Sequence, residues 1–311
     1  MLAPPITVWQ GPFGAAQHAE FVEKYWQKQP LLIRGLLSPA DVDEQCPLSV
    51  DSVLALAENP ACSPRLVRER GGARPWECSR GPFASAELDS LPTPDGSLAE
   101  PWTLLVSGVD RQLDSIEALR ESPSLWGFAP RWRIDDIQIS HAPTGGSVGA
   151  HIDNYDVFLL QGKGTREWSV EGVPRGAADE DLVPCLDVRI LQEFNPSDAW
   201  ELAPGDALYL PPRFAHHGVS TSADCLTYSI GFRAPSRYAH APPMRRHAAH
   251  WTRLGPPTGR GSDPPLPHAF INPPLLESRR QPAPSSYSPL RSTRPTGSTR
   301  LTVTRTPTCR W

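Results

Sequence analysis

Residues 151–160 read HIDNYDVFLL, a run of Val, Phe and Leu that opens on a histidine and an aspartate. A strand through this run predicts His151 and Asp153, at i and i+2, on one face. Burying that pair is costly unless a cation occupies the space between them. A third ligand is found in PGDALYLPPRFAHHGVS, where a DALYL strand ends at Pro211-Pro212. A short loop is then expected to present His216 and His217. The 63 residues from Asp153 to His216 leave room for several strands to cross and return. Two histidines and one carboxylate on one face of iron leave open positions, the arrangement of non-haem Fe(II) oxygenases. HxD alone is a weak signal, and the combination with a distal histidine after a strand and a Pro-Pro turn is more specific. One of the two is expected to bind the metal, and the other to be a loop imidazole or a water-linked neighbour.

Arg166 is the next informative residue. In TREWSV, Arg166, Trp168 and Val170 share a strand face, and two of the three are large and apolar. An arginine pointing with them toward a core needs a carboxylate partner. Asn154, Tyr155 and Asp156 are candidates for substrate contact, with Tyr155 equally suited to a core position whose hydroxyl reaches a rim. Asp135 and Asp136 are candidates for holding a cationic substrate. TGGSVG (144–149) lacks the GK[ST] ending of a phosphate loop and is expected to turn the chain into the HxD segment. His247 and His250 have a metal-compatible spacing but no accompanying ligand types.

Short strands must position these residues. From about residue 132, WRIDDIQIS, HIDNYDVFLL, TREWSV, VRILQEF, DALYLP and CLTYSIGF are separated by turn signals such as TGGS, QGKG, NPSD and APGD. Closely spaced strands of this kind predict a barrel or double-sheet jelly roll. Before them, the pattern predicts a helix from residue 17 that stops before Pro30, a buried strand in LLIRGLL, and helices over 49–58 and 110–122. A proline-, glycine- and charge-rich stretch, read as irregular, lies between the last two.

The charge is divided unevenly. Residues 236–311 hold 12 arginines, no lysine and two acids, for a net of +10, and the remainder carries −14. This predicts an acidic globular part with a basic appendage. The appendage is rich in Pro, Arg, Ser and Thr without apolar periodicity and is expected to be disordered. The 37 prolines of the chain exceed the usual share more than twofold. No apolar run is long enough for a membrane span, and no secretory signal opens the sequence, so a cytoplasmic setting is expected. The six cysteines include no CxxC pair and are expected to be free thiols.

HIDNYDVFLLQG, the Arg-x-Trp of GTREWSV, PGDALYLPPRFAHHG, YSIGFRAPS and, near the N-terminus, YWQKQPLLIRG together resemble the bacterial ribosomal oxygenases of the JmjC/cupin superfamily. The resemblance covers roughly residues 7–236. It implies a mainly β fold with flanking α-helices, built on a double-stranded β-helix, and a metal set of His151, Asp153 and His216 for Fe(II). It further implies 2-oxoglutarate as cosubstrate, its distal carboxylate paired with Arg166, and O2 as oxidant. Thr227 and Ser229, which alternate together in CLTYSIGF, would donate hydrogen bonds to 2-oxoglutarate. The implied reaction is hydroxylation of a side chain, an arginine in the bacterial branch, on a large-subunit ribosomal protein. The domain reading is an N-terminal region over 1–100 packed on an oxygenase core over 101–236, followed by the tail over 237–311. Nothing in the tail resembles the helical dimerisation region and winged-helix-like domain with which the family continues. A reading-frame shift or a natural arm contacting ribosomal RNA would explain it, and a mainly monomeric protein is expected either way. Two rival readings stand beside this one: another cupin metal-dependent enzyme, which would not need Arg166, and a non-catalytic homologue that binds a ribosomal protein.

Overall fold

The computed structural model describes residues 5–71, 75–92, 100–176, 179–184, 186 and 188–233. The expectations for 237–311, including disorder, His247/His250 and the missing dimerisation region, lie outside the described residues. Strand β1 (Thr7–Gln10), helix α1 (Ala15–Lys24) and strand β2 (Leu31–Arg34) come first, followed by helices α2 (Pro39–Gln45) and α3 (Val50–Leu56). Strands β3 (Arg65–Glu69) and β4 (Trp76–Arg80), helix α4 (Ser85–Asp89) and strand β5 (Trp102–Val106) follow, then helices α5 (Asp114–Arg120) and α6 (Pro123–Trp126). The last segment is all strand: β6 (Ile134–Ala142), β7 (Asp156–Lys163), β8 (Arg166–Pro174), β9 (Asp198–Leu202), β10 (Ala207–Leu210), β11 (Phe214–Ser220) and β12 (Cys225–Phe232).

Nine strands pair in the order β1-β2-β10-β7-β12-β6-β5-β3-β4, and β11-β8-β9 form a second, smaller sheet. The two sheets face one another, the double-sheet arrangement that the strand pattern predicted and the double-stranded β-helix that the resemblance implied. Strand alternation sorts the side chains of the large sheet. Phe158 and Leu160 of β7, with Tyr228, Ile230 and Phe232 of β12, enter a core shared with the flanking helices. Phe21, Tyr209 and Phe128 belong to the same ring cluster, with Phe21–Tyr209 edge-to-face at 4.9 Å. Val157 and Leu159 point the other way and pack with Trp168, Val170 and Leu202 between the sheets. Burying a side chain such as Phe158 fully contributes roughly 1.5–3 kcal/mol.

Several local expectations are corrected. The strand through 151–160 begins only at Asp156, and His151 instead forms an isolated bridge with His216. His216 and His217 are in strand β11, not in a loop before it. VRILQEF forms no strand and only bridges at Leu191. The stretch read as irregular contains β3 and β4, and β9 was passed over. In β3 and β4 tertiary pairing overrides a charged composition that reads as loop. Helix α2 had a legible signature: Ser38 caps it, accepting from Asp41 N at 3.3 Å, with Pro39 in the first turn. Helix α5 is confined to 114–120, preceded by a 3-10 turn over 109–111. Cys46, Cys62 and Cys225 are free thiols, as expected, and Cys185 and Cys309 lie outside the described residues. Among the described residues no helix is long and apolar enough to cross a membrane.

Candidate metal centre

The HxD segment is delivered by a turn whose glycines have left-handed backbones, Gly145 at φ 84° and Gly149 at φ 80°. A Cβ on Gly149 would lie 2.9 Å from Ile190, so the close approach also needs glycine. The chain then pairs His151 with His216 through two backbone hydrogen bonds of 3.0 Å. That bridge sets the two imidazoles side by side, with ring centroids 4.3 Å apart. Asp153 is pinned through its carbonyl, which accepts from Arg213 N at 2.8 Å. Arg213 adopts φ 76°, and its side chain donates to Asn154 Oδ1 (3.1 Å), to the Arg175 and Gly176 carbonyls and to Glu180. The ligand loop is thus held from below by one arginine.

One ligand atom from each of His151, Asp153 and His216 lies within 4.8 Å of the others. His216 Nε2 is 3.7 Å from Asp153 Oδ2. Both histidines have Nδ1 against a backbone carbonyl, His151 with Gly149 O (2.9 Å) and His216 with Phe214 O (3.0 Å). A carbonyl can only accept, so Nδ1 carries the proton and the Nε2 lone pair is free for a cation. His216 is 1 % exposed, and burial, reinforced by His151, draws its pKa down to about 4. It is therefore neutral and available as a ligand at neutral pH. His217 faces the other side of β11, with Nε2 2.8 Å from Ser147 Oγ and its ring edge-on to Phe194. It does not join the cluster.

The three residues line a cavity of about 350 Å³ that also takes in Arg166, Trp168, Tyr155 and Ser229. Arg166 is 2 % exposed and forms no ion pair with any described carboxylate. Its Nε donates to Cys225 Sγ at 3.4 Å, its Cζ is 5.7 Å from the Trp168 ring centroid, and its Nη2 has no partner. A buried guanidinium in this condition is unfavourable unless a ligand completes it. A dicarboxylate in the cavity would do so, and the donor set of the cluster fits iron(II).

The remaining expectations divide. Ser229 lines the cavity, whereas the Thr227 hydroxyl is spent inside the sheet on Gln161 Oε1 at 3.0 Å. Asp156 is corrected from a substrate contact to an internal anchor: it is fully buried, accepting from Tyr209 Oη (2.7 Å) and Gln27 Nε2 (3.2 Å), with Arg133 at 3.7 Å. Asn154 is engaged by Arg213. Tyr155, 43 % exposed, lines the metal cavity and also a second one of about 550 Å³ that contains Asp135 and Asp136. Asp135 pairs with Arg233, while Asp136 accepts from Gly108 N at 3.3 Å and has its carboxyl pushed up by burial and then by Asp135. Arg213, Gln161 and Cys225 were not singled out in the sequence. Only Gln161, a lone polar residue in an apolar strand, left a signal there.

Comparison with known proteins agrees with this geometry. Residues 124–239 match the JmjC domain family. A probable ribosomal oxygenase of Haemophilus influenzae is 38% identical over 217 residues, covering 70% of this chain and 49% of the relative. The ribosomal protein uL16 3-hydroxylase of Escherichia coli is 36% identical over 218 residues, covering 70% and 52%. The solved structure of YcfD, a ribosomal oxygenase from Escherichia coli in complex with cobalt and 2-oxoglutarate, superimposes with a TM-score of 0.57 at 32% identity, covering 72% of this chain and 53% of that one. The chain spans about half the length of the curated relatives it matches. The chain thus has a His-Asp-His cluster within a JmjC domain, and it is similar in sequence and fold to bacterial JmjC ribosomal oxygenases.

Proposed function

We propose that this protein is an Fe(II)- and 2-oxoglutarate-dependent oxygenase that hydroxylates an arginine side chain of a large-subunit ribosomal protein. The observation that carries the reading is Arg166, a buried guanidinium in the cavity of the His-Asp-His cluster with no ion-pair partner among the described residues. A cupin enzyme without an anionic cosubstrate has no use for such a residue, which favours this reading over the other metal-dependent one. The names of the relatives, a ribosomal oxygenase and a uL16 3-hydroxylase, support a ribosomal protein as substrate.

In this reading His151, Asp153 and His216 hold the iron, which with 2-oxoglutarate and O2 supplies the oxidising power for C–H hydroxylation. The chain's own residues bind, orient and exclude water. Arg166 pairs with the distal carboxylate, a charge-assisted contact strengthened by its dry surroundings. Ser229 offers a hydroxyl from the cavity wall. Val157, Leu159 and Trp168 line the same cavity and limit its water. Asp136 and Tyr155 flank the second cavity and suit a cationic side chain that approaches the metal from that side. No acid–base dyad is required.

The test is anaerobic 2-oxoglutarate binding to the manganese-loaded protein, followed by succinate formation with iron, O2 and large-subunit ribosomal proteins. One ribosomal protein should gain one oxygen atom on an arginine, read by peptide mass spectrometry. Binding without any modified peptide would favour the non-catalytic reading, and absence of 2-oxoglutarate binding would end the proposal.

A further inference from the structure

Arg166 must be aimed without being neutralised, and the structure contains a device suited to both tasks. Arg166 is in β8 of the small sheet, and among the described residues its one side-chain hydrogen bond crosses to the large sheet, where Nε donates to Cys225 Sγ of β12 at 3.4 Å. The same sulfur accepts from Gln161 Nε2 of β7, also at 3.4 Å. The carbonyls of Lys163 (2.7 Å) and Gly164 (3.2 Å) also lie within reach of Gln161 Nε2, whose two hydrogens are shared among the three acceptors, and Thr227 Oγ1 donates to Gln161 Oε1 at 3.0 Å. Two carbonyl acceptors on one side and a hydroxyl donor on the other leave a single sensible orientation for the amide. Cys225, Gln161 and Thr227 are at most 1 % exposed. Every group in this chain is uncharged.

We propose that Cys225 and Gln161, with Thr227 behind them, are positioning residues for Arg166: they aim its guanidinium into the cavity through neutral contacts and leave its charge for a ligand carboxylate. The inference rests on the cosubstrate reading above and adds three residues to it. An Asp or Glu in place of Cys225 would hold the arginine at least as firmly, but would satisfy its charge within the protein and remove the reason for it to bind a ligand. A thiol is a weak acceptor and cannot compete with an incoming carboxylate. Nη2 has no partner among the described residues, so the guanidinium keeps unmet hydrogen-bonding capacity for that carboxylate.

The test compares 2-oxoglutarate with pyruvate, a 2-oxo acid without the distal carboxylate, by calorimetry on the manganese-loaded full chain. Cys225→Val and Thr227→Val should weaken 2-oxoglutarate about tenfold, the equivalent of one hydrogen bond to a charged group. Both should leave manganese and pyruvate affinities unchanged. Cys225→Ser, which keeps an acceptor, should recover most of the loss, and Cys225→Asp should abolish 2-oxoglutarate binding while sparing pyruvate. Equal losses for both ligands would mean general damage and overturn the proposal, as would unchanged 2-oxoglutarate affinity in the Val variants. Should Cys225→Val not fold, the near-isosteric Thr227→Val decides alone. Arg166→Met separates the two levels: if it loses 2-oxoglutarate and the Val variants do not, the positioning role alone fails. If it too binds 2-oxoglutarate normally, the cosubstrate reading fails and the positioning role with it.

Discussion

Replacing Arg166 by Met should make the ligand-free protein more stable and its ligand binding much weaker. The guanidinium is 2 % exposed, makes one hydrogen bond to sulfur, and leaves Nη2 unpaired. Exchanging a buried, incompletely compensated charge for an apolar side chain of similar length stabilises a protein by about 1–4 kcal/mol. The lost contact with the buried Trp168 ring takes back about 2 kcal/mol of that, part of which a methionine sulfur against the same ring returns. On the binding side, truncating one partner of a buried charge pair costs about 2–5 kcal/mol, or roughly thirtyfold to several thousandfold in affinity for 2-oxoglutarate. Urea unfolding with and without manganese and 2-oxoglutarate reads both effects. At a ligand concentration near 100 Kd the unaltered protein should gain about 2.7 kcal/mol from the cosubstrate, and Arg166→Met no more than about 0.9 kcal/mol. A variant that is destabilised without ligand, or that keeps the cosubstrate's stabilisation, would refute the view of Arg166 as a charge held open for a carboxylate.

Further outcomes follow from the same site. His216→Ala should abolish manganese binding while His217→Ala retains it, measured by titration calorimetry; the reverse result would reassign the ligand. His216 is also a source of acid sensitivity in the metal-free protein. Its folded pKa, about 4, lies below the ordinary 6.5, so the unfolded chain takes up a proton first as pH falls. Its contribution is constant above about pH 6.5 and is lost between 6.5 and 4, by about 3 kcal/mol in all. The raised carboxyls of Asp136 and Asp156 act with the opposite sign, so the comparison is with His216→Gln, in which this part of the slope in urea-unfolding free energy should vanish. Identical pH profiles would contradict the buried, neutral histidine. Asp136→Asn should raise KM for an arginine-bearing ribosomal peptide and leave 2-oxoglutarate affinity unchanged, and an unaltered KM would remove Asp136 from the substrate cavity.

The residue types of the candidate site were legible in the sequence: His151, Asp153 and His216 by spacing and motif, and Arg166 by its place among apolar neighbours on one strand face. The jelly roll was legible because strand alternation and turn residues are local properties of the chain. The reason given for the first pair was not the one the structure supports. His151 and Asp153 do not sit on a regular strand. They converge because His151 bridges to His216 and Arg213 fastens the Asp153 carbonyl, contacts between segments some sixty residues apart in the chain. No local pattern records such pairings. The same holds for β3, β4 and β9, whose charged and small residues become strands only because a neighbouring edge offers hydrogen bonds. Thr227 and Ser229 were equivalent by alternation, and only packing distinguishes them, since Gln161 lies within reach of one hydroxyl and open cavity beside the other. Sequence specified which chemical groups were available and roughly which face each would take. Tertiary structure decided which were free, because a side chain's availability depends on what the rest of the fold has already placed against it.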